Sequence, residues 1–243
     1  MAIKIKRTDM TLANVELRDW HNVPLEGKGY QCIVTVDGLA ATGKGPVCRA
    51  LAMRSNFTHL DVGHLLRTLA LVQVRLGLTL NQLKDYLKRL DLMIEQSSHR
   101  VQFAGVWYTD AEIHSREADW LTPELAQDFW TKEVLYTKIR QFCQGKTIVA
   151  DGREAGTVIF PYAQLKFLLC STMSARVALR QMEFRQQGCL MTDAEVEREL
   201  TLRDMCDVMQ SQRQQPLEGA IILDGTRLPR ENAAIIMKYV NEL

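Results

Sequence analysis

The 243-residue sequence lacks the features that mark secreted, membrane-spanning and metal-binding proteins. Its six cysteines form no CxxC pair and have no histidine at zinc-site spacing, so we interpret them as reduced structural thiols. No window approaches the roughly 18 apolar residues of a membrane span, and the N-terminus lacks the apolar stretch of a signal peptide. We therefore expect a cytoplasmic protein without membrane contact.

The sequence also lacks an excess of charge of either sign. Its 30 lysines and arginines face 29 acidic residues, which leaves a formal net charge of +1. A nucleic-acid-binding surface is not expected, because there is no basic stripe with interleaved aromatic residues. Any site for an anionic ligand must therefore be a local cluster.

Short apolar runs alternate with helical or loop segments along most of the chain. Strands that alternate with helices predict an α/β protein whose parallel sheet is covered by helices on both faces. With 47% apolar residues, a chain of this length can bury one sizeable core. The strands predicted in this way are Cys32–Val36, Thr147–Ala150, Leu165–Cys170 and Ala220–Leu223.

Two stretches interrupt this alternation. The leucine spacing between residues 80 and 90 predicts a helix, and β-rich runs on either side of Ser97–Arg100 predict a small β meander. The segment Arg185–Asp193 separates two predicted helices and suits a mobile flap. We expect an arm over 1–30 and a main domain over 31–243, made of a core over 31–77 and 144–243, an insertion over 78–143 and a lid at about 185–194.

A glycine-rich loop follows the first predicted strand and opens a helix. Glycines let backbone amides approach an anion, and the helix N-terminus favours negative charge. Lys44 can span the β and γ phosphates, although Gly45 replaces the usual serine or threonine after the lysine. The loop therefore predicts a nucleoside triphosphate site formed by Gly38, Leu39, Ala40, Ala41, Thr42, Gly43, Lys44, Gly45 and Pro46.

An acidic residue ends the apolar run Thr147–Asp151. Proteins with such loops usually hold there the carboxylate that organises Mg²⁺ and its waters, whereas Asp151 could equally cap a turn. Arg153 and Glu154 add a guanidinium group and a second acid. The end of this strand therefore suits a polar nucleotide.

Four motifs, in this order along the chain, make the sequence resemble the cytidylate kinases. The most specific is ADGREAGTVIFP over residues 150–161, which is similar to the family signature ADGRDxGTVVFP. The resemblance runs from about Gln31 to the C-terminus and leaves the arm outside. The other motifs are Asp37-Gly38 with Gly43-Lys44-Gly45, Asp61-x-Gly63-x-x-x-Arg67, and Arg203-Asp204-x-x-Asp207.

The resemblance implies a P-loop NTPase fold that transfers a phosphoryl group from ATP to CMP or dCMP with Mg²⁺. The insertion would bind the monophosphate, and a short lid would cover the triphosphate. Mg²⁺ would be held through phosphates and water near Asp151, without direct protein ligands. The implied catalytic residues are Lys44, Asp151 and Arg203, the implied triphosphate contacts of the lid are Arg176 and Arg180, and the implied monophosphate contacts are Asp37, Asp61, Arg67, Lys132, Arg153, Glu154, Arg203 and Asp207.

Several positions depart from the family pattern and cluster in the expected site. Pro46, Val62 and Leu66 replace a hydroxyl residue, a serine and a tyrosine, and Gln210 replaces a second lid arginine for which Arg213 could substitute. Lys132 replaces an arginine and keeps its charge without the bidentate fork, while Glu154 replaces an aspartate that contacts the base. His114 replaces an arginine and is interpreted as a surface histidine.

These departures leave two hypotheses open. The first is an active nucleoside monophosphate kinase, with CMP or dCMP as the leading acceptor and another small acceptor as the alternative. The second is a kinase-like fold that binds nucleotide and transfers phosphoryl groups slowly or not at all. In both, the partners are small-molecule nucleotides. The resemblance implies a monomer, and the arm is interpreted as an extra packed strand or an interaction element.

Overall fold

The protein is described by a computed structural model over residues 32–88, 93–95, 100–103, 106–186, 188–211 and 219–243. The predicted arm over residues 1–30 lies outside these residues. Among the residues that the structure does describe, no helix is long and apolar enough to cross a bilayer.

Five parallel strands form the central sheet, in the spatial order β2-β6-β1-β7-β8. The central strand, CIVTVD, is buried along nearly its whole length, as expected of a β-branched strand covered on both faces. The parallel sheet predicted from the sequence is therefore confirmed. The strands are β1 (Cys32–Asp37), β2 (Thr58–Asp61), β6 (Thr147–Gly152), β7 (Leu165–Cys170) and β8 (Ile221–Asp224).

A second, three-stranded antiparallel sheet lies between β2 and β6 in the sequence. Its strands are β3 (Met93–Glu95), β4 (Arg100–Phe103) and β5 (Val106–Tyr108). A meander is thus present where the sequence predicted one. Two strands were not predicted: β5, and β2, whose sequence THLD contains too many polar residues to be recognised as a buried strand.

Helices cover both faces of the parallel sheet. On one face α1 and α9 pack over Val34, Val36 and Phe167, and on the other α2 and α6 pack over Leu60 and Ile148. The helices are α1 (Lys44–Ala52), α2 (Val62–Leu76), α3 (Leu80–Lys88), α4 (Asp110–Ile113), α5 (Arg116–Gln127), α6 (Phe129–Cys143), α7 (Met173–Gln186), α8 (Asp193–Ser211) and α9 (Pro229–Val240), with a π-helix at Ala155–Ile159.

The helices α7 and α8 pack against the glycine-rich loop through a small separate apolar cluster. Val177 of α7 contacts Val196 and Leu200 of α8 and Ala40 of the loop. Thr192 caps α8, because its hydroxyl oxygen accepts the Glu195 amide at 3.3 Å, while the Thr192 hydroxyl and amide donate to the Glu195 carboxylate. The chain between α7 and α8 is the predicted lid, and its exact limits stay a prediction, as do those of the insertion.

Candidate active site

The loop Gly38–Gly45 joins β1 to α1 and fixes the local backbone. Gly43 is the N-cap of α1 and has φ of 91°, a left-handed conformation that glycine adopts without strain. A Cβ on Gly38 would lie 2.4 Å from the carbonyl oxygen of Leu169, so the neighbouring strand leaves no room for a side chain there. The loop therefore has the close packing and helix-terminal position that a phosphate-binding loop requires.

Lys44 is buried at the start of α1. Its Nζ donates a hydrogen bond to the carbonyl oxygen of Leu39 at 2.6 Å. Burial lowers the Lys44 pKa to about 8, and the charge of Arg153 adds to this, while Asp151 opposes it. A bound phosphate would stabilise the charged ammonium group in this environment.

Asp61 and Asp151 end neighbouring strands and are register partners across β2 and β6. Although burial favours neutral Asp61, the charges of His64 and His59 and the His64 amide lower its pKa to about 2. Burial and the Asp61 charge raise the Asp151 pKa, whereas His59, with Nε2 3.2 Å from Asp151 Oδ1, opposes this. Asp61 is therefore firmly ionised, whereas a nearby cation would stabilise the negative charge on Asp151.

Mg²⁺ fits beside this pair on the chemistry of the donors. Asp151 faces the first turn of α1, with Oδ2 3.6 Å from where a Cβ on Gly45 would lie. Two carboxylates are the oxygen donors that Mg²⁺ prefers. The sequence analysis missed Cys48 and His59, whose ligand atoms lie with that of Asp151 within 4.8 Å of one another. No motif marks either residue, because the cluster forms only when α1 packs against β2 and β6.

Asp37 holds the π-helix that follows Glu154. Its two carboxylate oxygens accept the amides of Ala155 at 2.8 Å and Gly156 at 2.7 Å. Burial raises the Asp37 pKa to about 6, although these amides favour the carboxylate. This anchoring role is visible in the structure, while contact of Asp37 with a monophosphate stays a prediction.

Arg140 was also missed by the sequence analysis. It lies in α6, and its guanidinium group donates to the carbonyl oxygens of Val158 at 2.8 Å and Ile159 at 2.9 Å. These bonds hold the C-terminal end of the π-helix, whereas Asp37 holds its N-terminal end. A lone arginine in a helix carries no sequence signal for such a role, because its acceptors are backbone atoms.

Four arginines from different segments are close enough for their charges to interact. Burial lowers the Arg203 pKa to about 9, and the charges of Arg153, Arg67 and Arg180 lower it further. Arg153 also forms an ion pair with Asp207 of α8. Mutually repelling guanidinium groups are stabilised by a bound polyanion, so the cluster suits phosphate groups.

The two arginines assigned to triphosphate binding, Arg176 and Arg180 of α7, are buried and are not solvated charges of a helix surface. Arg176 is 3% exposed and Arg180 is 7% exposed. Arg176 binds Asp204 through two hydrogen bonds of 2.7 Å and donates to the Ala40 carbonyl oxygen at 2.8 Å. Arg180 contacts Glu199 of α8 at 3.3 Å. Arg176 thus ties α8 to the glycine-rich loop, and triphosphate contact by either residue stays a prediction.

Two departures from the family pattern meet in one contact. Lys132 Nζ lies 2.6 Å from Glu154 Oε1. Lysine is shorter than the arginine of the family pattern and glutamate is longer than its aspartate, so the two changes in length offset each other. Tyr136 donates its hydroxyl to the same oxygen, and burial, followed by the Glu154 charge, raises its pKa well above the usual value. Tyr136 was not recognised from the sequence, because its apolar neighbours in α6 mark it only as core.

The other departures from the family pattern differ in burial and in their position in the fold. Val62 and Leu66 are buried, and Val62 packs against the backbone of Gly152. Pro46 is exposed in the first turn of α1, where proline is tolerated. Gln210 lies near the end of α8, and Arg213, its suggested substitute, lies outside the described residues.

Comparisons with known proteins agree with this geometry. The protein-family model for cytidylate kinase matches residues 34–242. Cytidylate kinases of Thermotoga neapolitana and Thermotoga maritima are both 34% identical to this chain, over 88% of it and 98% of their own length. The cytidylate kinase of Saccharophagus degradans is 32% identical over 81% of this chain and 90% of its own.

A weaker similarity exists to a solved shikimate kinase from Acinetobacter baumannii, at 12% identity and a TM-score of 0.45, over 89% of this chain and 95% of that one. The family assignment rests on the match over residues 34–242 and on the relatives above 30% identity. The chain belongs to the cytidylate kinase family and is an ATP-dependent nucleoside monophosphate kinase.

Proposed function

We propose that this kinase transfers the γ-phosphoryl group of ATP to CMP or dCMP, giving the diphosphate and ADP. The observation that carries the proposal is that the charges of Arg67, Arg153 and Arg180 all act on Arg203, and that Arg153 also acts on Lys44 of the glycine-rich loop. Phosphoryl transfer depends mainly on positioning and charge stabilisation, and this cluster supplies both.

On the donor side, the amides of Gly38–Gly45 and the ammonium group of Lys44 bind the triphosphate. Mg²⁺, when bound, neutralises phosphate charge, and Asp151 positions its water ligands. Arg203 stabilises the charge on the moving phosphoryl group, with Arg180 beside it. Arg176 holds α8 over the glycine-rich loop through Asp204, and so positions Arg203, the preceding residue of α8, near the triphosphate.

On the acceptor side, Arg67 binds the α-phosphate of the monophosphate, next to Asp61. Asp207 contacts the sugar hydroxyls and orients Arg153 through their ion pair. The buried ion pair of Lys132 and Glu154 faces the base. It presents both a donor and an acceptor group, as recognition of the polar edge of cytosine requires.

ADP release by the purified protein tests the proposal. ATP and Mg²⁺ are supplied with CMP, dCMP, UMP, AMP or GMP, and Lys44→Ala serves as the control. Turnover with CMP or dCMP that is lost in the control supports the proposal. Turnover on another acceptor alone contradicts the acceptor assignment, and ATP binding without turnover on any of them supports the kinase-like binding protein.

A further inference from the structure

Three side chains that commonly bind metals lie together at the contact between α2 and α4. His64 is in the first turn of α2, Asp110 begins α4, and His114 follows its last residue. The two imidazole rings pack edge to face, with centroids 5.2 Å apart. None of the three belongs to the catalytic or acceptor-binding groups assigned above.

The three residues supply one ligand atom each, and all three atoms lie within 4.8 Å of one another. We propose that His64, Asp110 and His114 bind a divalent transition-metal ion of the zinc class. Two imidazole nitrogens and one carboxylate oxygen are a donor set that Zn²⁺ accepts in four-coordinate sites, with water in the fourth position.

The two distances from the Asp110 carboxylate match such a site. Metal–ligand bonds of about 2.0–2.1 Å in a tetrahedron place the donor atoms about 3.4 Å apart. Here Asp110 Oδ1 lies 3.6 Å from His64 Nε2 and 3.4 Å from His114 Nδ1. Small side-chain movements would therefore complete the site.

An existing contact of His114 has to be exchanged on binding. His114 Nδ1 also lies 2.9 Å from the backbone carbonyl oxygen of Asp110, and an ion bound through Nδ1 replaces that hydrogen bond. The side chain of Asp110 is 62% exposed and that of His114 is 31% exposed, so an ion and its water can reach the cluster.

The surroundings distinguish this cluster from two other cation sites. Mg²⁺ prefers oxygen ligands, so the ion used in phosphoryl transfer is a poor fit to two imidazoles. A second cluster in the described part of the chain, Cys48 with His59 and Asp151, is fully buried, so an ion reaches it less readily. The accessible cluster is therefore the site we assign.

A bound ion would join the insertion to the helix that carries Arg67. His64 and Arg67 are one turn apart in α2, while Asp110 follows β5 of the meander after a single residue. The Arg67 charge acts on both imidazoles and opposes a cation. We therefore expect binding that is specific but weaker than in structural zinc sites.

Calorimetric titration of chelator-treated protein with Zn²⁺, in the absence of nucleotide, tests the site. The expected result is one equivalent bound, with affinity lowered on the order of 100-fold in His114→Asn and in Asp110→Asn. Asp85→Asn is the matched control for Asp110→Asn, because Asp85 is an exposed aspartate of α3 that lies outside the cluster. Unchanged melting of the metal-free variants shows that they fold.

Co²⁺ absorption gives a second readout on the same proteins. Visible bands typical of four-coordinate Co²⁺, lost in His114→Asn, support the site. A thiolate charge-transfer band places the ion at a cysteine, outside the proposed cluster, and overturns the proposal, as does Zn²⁺ affinity that is unchanged in both variants. Because no nucleotide is present, these outcomes are independent of the proposed kinase activity.

Discussion

The donor and acceptor sides of this active site are built in different ways. On the donor side, backbone atoms set the geometry, as the glycine-rich loop packs against Leu169 and opens α1. On the acceptor side, side-chain pairs from distant segments do so, as in Lys132 with Glu154 and Arg153 with Asp207. A site formed by backbone atoms requires particular residues, such as glycine, at only a few positions. A site formed by side-chain pairs can change when both members of a pair are substituted together.

This difference agrees with the position of four of the departures from the family pattern. Val62, Leu66, Lys132 and Glu154 belong to the proposed acceptor side or lie next to it in the sequence, and Lys132 and Glu154 meet in one contact. On the donor side Pro46 occupies a helix position that tolerates proline. We therefore expect donor-side variants to abolish turnover and acceptor-side variants to shift specificity.

The largest expected effect is that of Arg203→Ala. Loss of an arginine that stabilises the moving phosphoryl group lowers kcat on the order of 10³-fold or more. The repulsion of Arg203 by Arg153, Arg67 and Arg180 and its ion pair with Glu199 at 3.7 Å oppose each other, so its removal should change the melting temperature little. ADP release and thermal unfolding measure the two effects.

The control for this variant is Arg198→Ala, which removes an exposed arginine from the same helix. It should leave kcat within about twofold, since surface substitutions have small effects. Equal losses of kcat in the two variants, or a clear fall in melting temperature for Arg203→Ala alone, would show that Arg203 has a structural role.

The next effect concerns the backbone of the donor side. Gly38→Ala places a Cβ against the Leu169 carbonyl oxygen and should cost about 2–4 kcal/mol of unfolding free energy, together with ATP affinity. Gly77→Ala is the matched control, because a Cβ on Gly77 meets nothing within 4 Å and only its φ of 60° is strained. Denaturant unfolding that gives equal losses at the two glycines would refute the steric argument.

A smaller effect is expected on the acceptor side. Glu154→Asp and Lys132→Arg should each raise the KM for the acceptor about tenfold, because each changes the length of one partner in a 2.6 Å ion pair. The double variant should recover part of the loss, with a coupling energy of about 1 kcal/mol. Steady-state kinetics at saturating ATP measures this cycle.

Lys138→Arg, on the same helix as Lys132, is the control for the cycle. Combined with Glu154→Asp it should show no coupling. Strictly additive effects of Glu154→Asp and Lys132→Arg would mean that the two departures are independent, and that their contact does not shape acceptor binding.

The smallest effect is a dependence on pH. The Lys44 pKa is lowered to about 8, so the ammonium group is present below that pH and is lost as the pH rises through it. The kcat/KM for ATP, which reports the protonation state of the unliganded enzyme, should fall correspondingly. Lys44→Arg should move this decline to higher pH, and an unchanged profile would exclude Lys44 as its cause.

Sequence reasoning recovered the parts of the molecule that depend on local pattern. The apolar strands, the glycine-rich loop and the acid at the end of Thr147–Asp151 each carry their signal within a few residues. The strand β2 was missed because Thr58 and His59 interrupt its apolar pattern. In the structure it is stabilised by parallel pairing with β6. Pairing with a neighbour can override a weak local preference.

The residues that were missed share a different property. Tyr136 and Arg140 act through contacts with Glu154 and the π-helix, which are distant in the sequence. No local pattern encodes such contacts, because they depend on how α6 packs against the strand ends. The same holds for the cluster of His64, Asp110 and His114, which no motif marks.

The central claim is that the acceptor is a cytosine nucleotide, and the ratio of kcat/KM for CMP to that for UMP tests it most directly. The two nucleotides differ only at the base edge that Glu154 and Lys132 are assigned to contact. A ratio of at least about 10² is predicted, because a hydrogen-bonding site strongly rejects a mismatched partner. A ratio near 1, or a preference for UMP, would contradict the account.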